Sequence, residues 1–198
     1  MGAKGSKHSS GAVRMGLNSV AHKTHFTTKE LLKIRARFLE VASHSKHSSL
    51  INREQLGEVL DSIGLEPASS AFIDRLYDAF DKVDNDGVNF VEFTAGLSVL
   101  LRGTQEEKLR LAFELYDMDG TKEIRKAEMV QVLKAMATSV AVESDGTVTS
   151  DNVYDDGEIV EFVDQIYATV DREGNDRLSE QEFHDAVLQF PELVRWEL

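Results

Sequence analysis

One pattern limits what this chain can fold into. An apolar helical stretch, a polar run of about 12 residues and a second apolar stretch follow one another around residues 38–60, 79–100, 113–133 and 166–188. A unit of this kind has one apolar stripe per helix and cannot bury it alone, so the units must pack on one another. Apolar residues recur at helical spacing through most of the chain, and only two prolines interrupt its 198 residues. The expectation is an all-α fold of four helix-loop-helix units in two paired lobes. Thr27 with Glu30, and Thr104 with Glu107, have the spacing of a capping box. The first opens a helical face of Leu31, Ile34, Phe38 and Val41, and the second introduces Leu109, Leu111, Ala112, Phe113 and Leu115. Gly103 then marks the boundary between lobes of residues 26–102 and 104–190. Residues 1–25, rich in Gly, Ser, Lys and His, read as a flexible N-terminal arm. The acidic stretch 139–157 reads as an inserted loop and 191–198 as a C-terminal tail.

An apolar residue stands at the same place in each polar run, as Ile51, Val88, Ile124 and Leu178, and sets the register of the positions around it. In residues 171–182 the oxygens are those of Asp171, Glu173, Asn175, the carbonyl of Arg177, Ser179 and Glu182. In residues 117–128 they are those of Asp117, Asp119, Thr121, the carbonyl of Glu123, and Glu128. Such sets resemble the EF-hand loop, in which oxygens at positions 1, 3, 5, 7 and 9 and a bidentate Glu at 12 wrap a calcium ion. The apolar residue at position 8 joins the partner loop through a short β-bridge, which is why such units come in pairs.

The loops differ in quality. The fourth, 171–182, has three carboxylates and two neutral side-chain oxygens and is the best site. The third, 117–128, is impaired, because Lys122 stands where a turn glycine belongs and Arg125 brings a cation close to the ligands. In the second, 81–92, Asp81, Asn85 and Glu92 are doubtful ligands, since Gly87 falls one place late and Asp86 takes the turn position. The first, 44–55, offers no carboxylate. There Gln55 with Asn52 keeps only the spacing of a helix cap.

A net charge of −13 disfavours a nucleic-acid partner, whose phosphates call for clustered Lys and Arg. No cysteine is present, so disulfides, thiolate nucleophiles, zinc-thiolate sites and palmitoylation are excluded, in keeping with a reducing setting. His22 with His25, and His44 with His47, lack further ligands for a zinc site. No nucleophile with its base and no Gly-rich phosphate loop can be assembled, so the chain reads as no enzyme.

The run EEKLRLAFELYDMD at 106–119, with FDKVDNDGVN at 80–89 and GLSVLLRGTQEEK at 96–108, resembles the calcineurin B-like calcium sensors, calaxin-like proteins included. The similarity covers residues 26–195. It implies a calcium-binding sensor or regulatory adaptor, with magnesium as the competing ion, that receives an amphipathic helix of a partner protein in an apolar groove. The alternative is a calcium-independent structural adaptor, ciliary or cytoskeletal in setting. Met1-Gly2 with Ser6 fits N-myristoylation of Gly2, and Lys4, Lys7, Arg14 and Lys23 supply the second, basic signal that one acyl chain needs. The expected location is cytoplasmic and peripheral to membranes, flagella or cilia included. Phe190, Pro191, Leu193, Val194 and Trp196 form an apolar end suited to cover the groove.

Overall fold

A computed structural model describes residues 15–44, 49–65, 69–83, 87–142, 148–152 and 155–194. Its helices begin where a side chain accepts the free N–H groups of the first turn. Thr27 and Glu30 close a capping box on α2 (Thr28–Ala42), as Asn52 and Gln55 do on α3 (Arg53–Ser62). Ser69 caps α4 (Ser70–Phe80), and Asn89 with Glu92 starts α5 (Phe90–Arg102). Thr104 with Glu107 starts α6 (Gln105–Tyr116). Then come α7 (Lys126–Ala137), α8 (Asp156–Val170, capped by Asp155 and Glu158) and α9 (Glu180–Gln189, capped by Ser179 and Glu182). The chain is mostly helical, with short strand pairs, and a 3-10 turn at Pro191–Val194 ends the described part.

The helices pair through their loops. β1 (Leu50–Ile51) and β2 (Val88–Asn89) are antiparallel with Ile51 opposite Val88, and β3 (Glu123–Arg125) pairs β6 (Arg177–Ser179) with Ile124 opposite Leu178. The apolar position thus ties the first loop to the second and the third to the fourth, as the EF-hand resemblance implies. Two cores follow. Leu31, Phe38, Leu56, Leu76, Phe93 and Leu97 lie in one, where the Phe38 ring meets Phe90 and Phe93. Phe113, Tyr116, Ile124, Met129, Ile166 and Phe183 lie in the other. Helix α6 serves both, since its Leu111 and Leu115 belong to the first core and its Ala112, Phe113 and Tyr116 to the second.

The structure corrects two expectations. Residues 15–21 form a helix (α1) rather than part of an arm; Leu17 and Val20 are buried in the first core, and the Thr28 hydroxyl donates to the Asn18 side chain at 3.0 Å. Two apolar residues three apart are too few to register as a periodic signal, and their burial comes from distant helices. The stretch read as an inserted loop holds a hairpin, β4 (Thr138–Val142) against β5 (Val148–Asn152). Gly87 also has a steric role. A Cβ there would lie 2.9 Å from the Leu50 Cβ and 3.1 Å from the Ile51 carbonyl oxygen, so glycine is what lets β1 approach the second loop. No helix among the described residues is long and apolar enough to cross a membrane.

Candidate metal centre

The third loop is built between α6 and α7. Asp117 follows the last turn of α6, its N–H donating to the Phe113 carbonyl at 2.8 Å. Its two carboxylate oxygens accept from the Thr121 N–H at 2.9 Å and the Lys122 N–H at 3.0 Å, which folds the chain around them. Gly120 and Lys122 both take left-handed backbone, φ 68° in each. For Gly120 this is free, whereas for Lys122 it is strain of about 1–2 kcal/mol. Glu128, in the first turn of α7, reaches back across the loop: one oxygen accepts the Asp119 N–H at 3.2 Å and the other the Arg125 N–H at 2.8 Å. Carboxylate oxygens of Asp117, Asp119 and Glu128 thereby come within 4.8 Å of one another. Asp117 and Glu128 are each 8% exposed, while Asp119 faces solvent. The Thr121 hydroxyl donates to the Glu123 carbonyl at 3.2 Å, so these two expected ligands lie side by side.

Three clustered carboxylates are hard oxygen donors that fit a calcium ion. Cations already share them. The Arg125 guanidinium lies 2.9 Å from the Asp119 carboxylate. Hydrogen bonding with Thr121, then the charges of Arg125 and Arg177, hold the Asp119 carboxyl below its ordinary range, against the opposing effect of desolvation.

The fourth loop has the same frame. Asp171 accepts from the N–H groups of Gly174 at 2.8 Å and Asp176 at 3.0 Å, and Gly174 and Asp176 are left-handed, φ 64° and 56°. Glu182 accepts from the Arg172 N–H at 3.0 Å and from the Ser179 N–H and hydroxyl at 3.0 and 2.7 Å. Burial works against the charge on Glu182, but these bonds and the Arg172 charge outweigh it and keep its carboxyl below the ordinary value. Glu173 accepts from the Asn175 amide at 3.2 Å, and Asn175 in turn accepts from the Arg177 N–H. Among the described residues the third loop alone brings three carboxylates within metal reach, although the fourth is richer in oxygen donors by sequence. Ser179 and Glu182 form the cap of α9, and the Arg177 side chain pairs with Glu123 across the bridge at 2.9 Å.

In the second loop Asp81 ends α4, and Glu92 accepts from the Asn89 N–H at 2.9 Å. The other Glu92 oxygen is buried without a hydrogen-bond partner among the described residues, and Asn85 lies outside them. In the first loop Gln55 is occupied as a brace, donating to the Val41 carbonyl at 2.9 Å and accepting from the Asn52 N–H at 3.1 Å. One residue gave no signal in the sequence. Lys126 leaves the third loop to pair with Asp176 of the fourth at 3.0 Å and with Asp164 of α8 at 3.2 Å. Its role depends on partners 38 and 50 residues away (164 minus 126, 176 minus 126), which no local pattern announces.

Comparison with known proteins agrees with this construction. A family model described as an EF-hand domain pair matches residues 106–188, the segment that carries the third and fourth loops. The chain is 30% identical over 188 residues to a recoverin family protein of Dictyostelium discoideum, covering 90% of this chain and 83% of that one. It is 35% identical over 115 residues to the calcium-binding protein NCSA of the same organism, 58% of this chain and 59% of the relative. It is also 32% identical over 123 residues to guanylyl cyclase-activating protein 1 of Lithobates pipiens, 62% of this chain and 55% of the relative.

Proposed function

The chain belongs to the recoverin family of EF-hand proteins, and from that premise we propose that it is a calcium-responsive regulatory protein that acts by binding another protein. The observation that carries this reading is the convergence of Asp117, Asp119 and Glu128 within 4.8 Å, in a loop tied by β3 and β6 to a second loop of the same frame. Asp117, Asp119, Thr121, Glu123 and Glu128 would hold one ion, and Asp171, Glu173, Asn175, Arg177, Ser179 and Glu182 another. When bound, calcium supplies a hard divalent charge that neutralises crowded carboxylates. The chain's own residues transmit the event. Glu128 joins the front of its loop to α7, and Glu182 joins its loop to α9, so a change in either carboxylate is a change in the pose of a helix.

A partner helix has a candidate seat on the first lobe. A cavity of about 560 Å³ opens there, lined by Phe26, Ile34, Ile63, Leu65, Leu97 and Leu101 and rimmed by Lys33, Arg37, Arg102 and Glu30. Its cationic rim favours a helix with acidic flanks. Gly2 as a myristoyl acceptor lies outside the described residues; incorporation of a myristate analogue, abolished in Gly2→Ala, is the outcome expected if the arm is lipidated.

Calorimetric calcium titration with magnesium present tests the main reading. Binding in the sensor range of about 10⁻⁷–10⁻⁵ M is expected, reduced by Glu128→Gln and by Glu182→Gln and lost in the double variant. A second reading, a calcium-independent adaptor, has support in Gln55 serving as a brace and in Asp119 already paired with Arg125. No heat up to millimolar calcium would establish it in place of the first.

A further inference from the structure

We propose that Arg125 is a tethered counter-cation of the third loop, whose guanidinium competes with a divalent ion for Asp119 and so sets the calcium threshold of that loop. The proposal rests on the reading of residues 117–128 as a calcium site. Three observations support it.

Asp119 is the solvent-facing member of the carboxylate triad, so it is the ligand that a charge on a mobile side chain can reach without entering the loop. The Arg125 guanidinium, 45% exposed, has reached it, at 2.9 Å. The base of the Arg125 side chain is fixed as well. Its residue lies in β3, its N–H donates to Glu128 at 2.8 Å, and its Cα stands opposite Arg177 of β6. A side chain that springs from a pinned backbone loses less freedom on pairing than one on a loose loop.

The third observation concerns where the guanidinium would go. Directly opposite like charges on an antiparallel pair repel each other. Here each arginine has its own carboxylate, Arg125 with Asp119 and Arg177 with Glu123 at 2.9 Å. A guanidinium displaced from Asp119 therefore faces Arg177, whose neighbouring carboxylate is already engaged. Filling of the third loop accordingly removes a favourable pair and leaves two cations across the bridge to the fourth loop. The bridge is the route by which the charge state of one loop reaches the other. Since a solvent-exposed pair is screened by water and changes an affinity by about fivefold at most, the competition changes the threshold without closing the site.

The test uses the full chain carrying Glu182→Gln, so that binding reports the third loop. Arg125→Gln is expected to tighten calcium binding by about threefold to fivefold, and Arg125→Lys, which keeps the charge, to stay within about twofold of the parent. Adding Asp119→Asn should abolish the gain from Arg125→Gln. In the chain with native Arg125, the Nε–Hε signal of that residue should move when calcium is added, a readout that needs no substitution at the site. Unchanged or weaker binding in Arg125→Gln with its thermal midpoint retained, or a stationary Arg125 signal while calcium binds, overturns the proposal. Binding that appears only once Arg125 is replaced supports it in its strongest form. If neither parent nor Arg125→Gln binds calcium, the third loop is no calcium site, and the function proposed above fails together with this inference.

Discussion

Lys122 holds a left-handed backbone, φ 68°, at the loop position where glycine would sit without strain. Relief of about 1–2 kcal/mol, set against the extra freedom glycine adds to the unfolded chain, leaves Lys122→Gly more stable by about 0.5–1 kcal/mol. Urea denaturation measures this, and a lower midpoint in the variant would show that the Lys122 conformation is not strained. Tyr116 carries a different kind of cost. Its ring is buried in the second core, its hydroxyl donates to the Leu193 carbonyl at 3.1 Å, and burial pushes its ionisation well above the ordinary range. Tyr116→Phe leaves that carbonyl without its partner and should lose about 1–2 kcal/mol, read as a drop in the denaturation midpoint. The same bond shows what the C-terminal apolar end does: Leu193 is packed into the second core, and Phe190 meets the Phe162 ring edge-on. Trp196 lies outside the described residues.

Between elements, the segment leading into α2 is held by a small polar cluster. The His25 N–H donates to the Ser98 hydroxyl at 2.6 Å, its ring lies 2.9 Å from Glu107, and Arg102 pairs with Glu30 at 2.6 Å while covering the Phe26 ring. The Arg102 hydrogen bond, followed by bonds from Thr27, holds the Glu30 carboxyl down to about 2 from an ordinary value of 4.5. A depressed folded-state value means that the contribution is present above pH 4.5 and lost as pH falls toward 2. Glu30→Gln should therefore flatten the fall in thermal midpoint across that window, and a curve parallel to the native one would remove Glu30 from the account. The α4 and α5 helices cross with less tolerance. A Cβ at Gly96 would sit 2.2 Å from the Phe80 ring, so Gly96→Ala should destabilise by about 1–3 kcal/mol through overpacking, measurable by the same denaturation.

At the scale of the molecule, the two lobes are joined by more than the chain between them. Helix α6 places residues in both cores, and Ser69 links α4 to α7: its hydroxyl accepts the Phe72 N–H at 3.1 Å and donates to the Ala135 carbonyl at 2.5 Å. Ser69→Ala removes a helix cap and leaves a buried carbonyl unpaired, a loss of about 2 kcal/mol. If the Ser69 bond couples the lobes, calorimetry should show one unfolding transition for the native chain and two for the variant. One shared transition at a lower midpoint would mean that helix packing couples the lobes without the Ser69 bond. The link also lies on a path from the third loop to the second, because α7 leaves the one and α4 enters the other.

Much of this architecture was legible before any coordinates. The fourfold pattern, the capping residues at Thr27, Asn52 and Thr104 and the apolar position in each loop are local, and local signals survive in a linear sequence. The family was legible only coarsely: the α6 motif was read as calcineurin B-like, of which the EF-hand superfamily stands, and the match along 188 residues was needed to place the chain in the recoverin family. The sequence did not show how closely the carboxylates of the third and fourth loops approach one another. Counting oxygens favours 171–182, whereas the structure gathers three carboxylates in 117–128 and holds Glu173 against Asn175. The sequence by itself determined that the chain is helical, through apolar spacing, acidic, through composition, and equipped with loops of hard oxygen donors, through their register. The tertiary structure alone decided that Leu17 and Val20 are core, that Gly87 makes room for β1, that Lys126 spans to Asp176, and that Asp119 has Arg125 for a partner. The reason is physical: burial, close approach and ion pairing depend on distances between residues far apart in the chain, and those distances exist only once the lobes have packed.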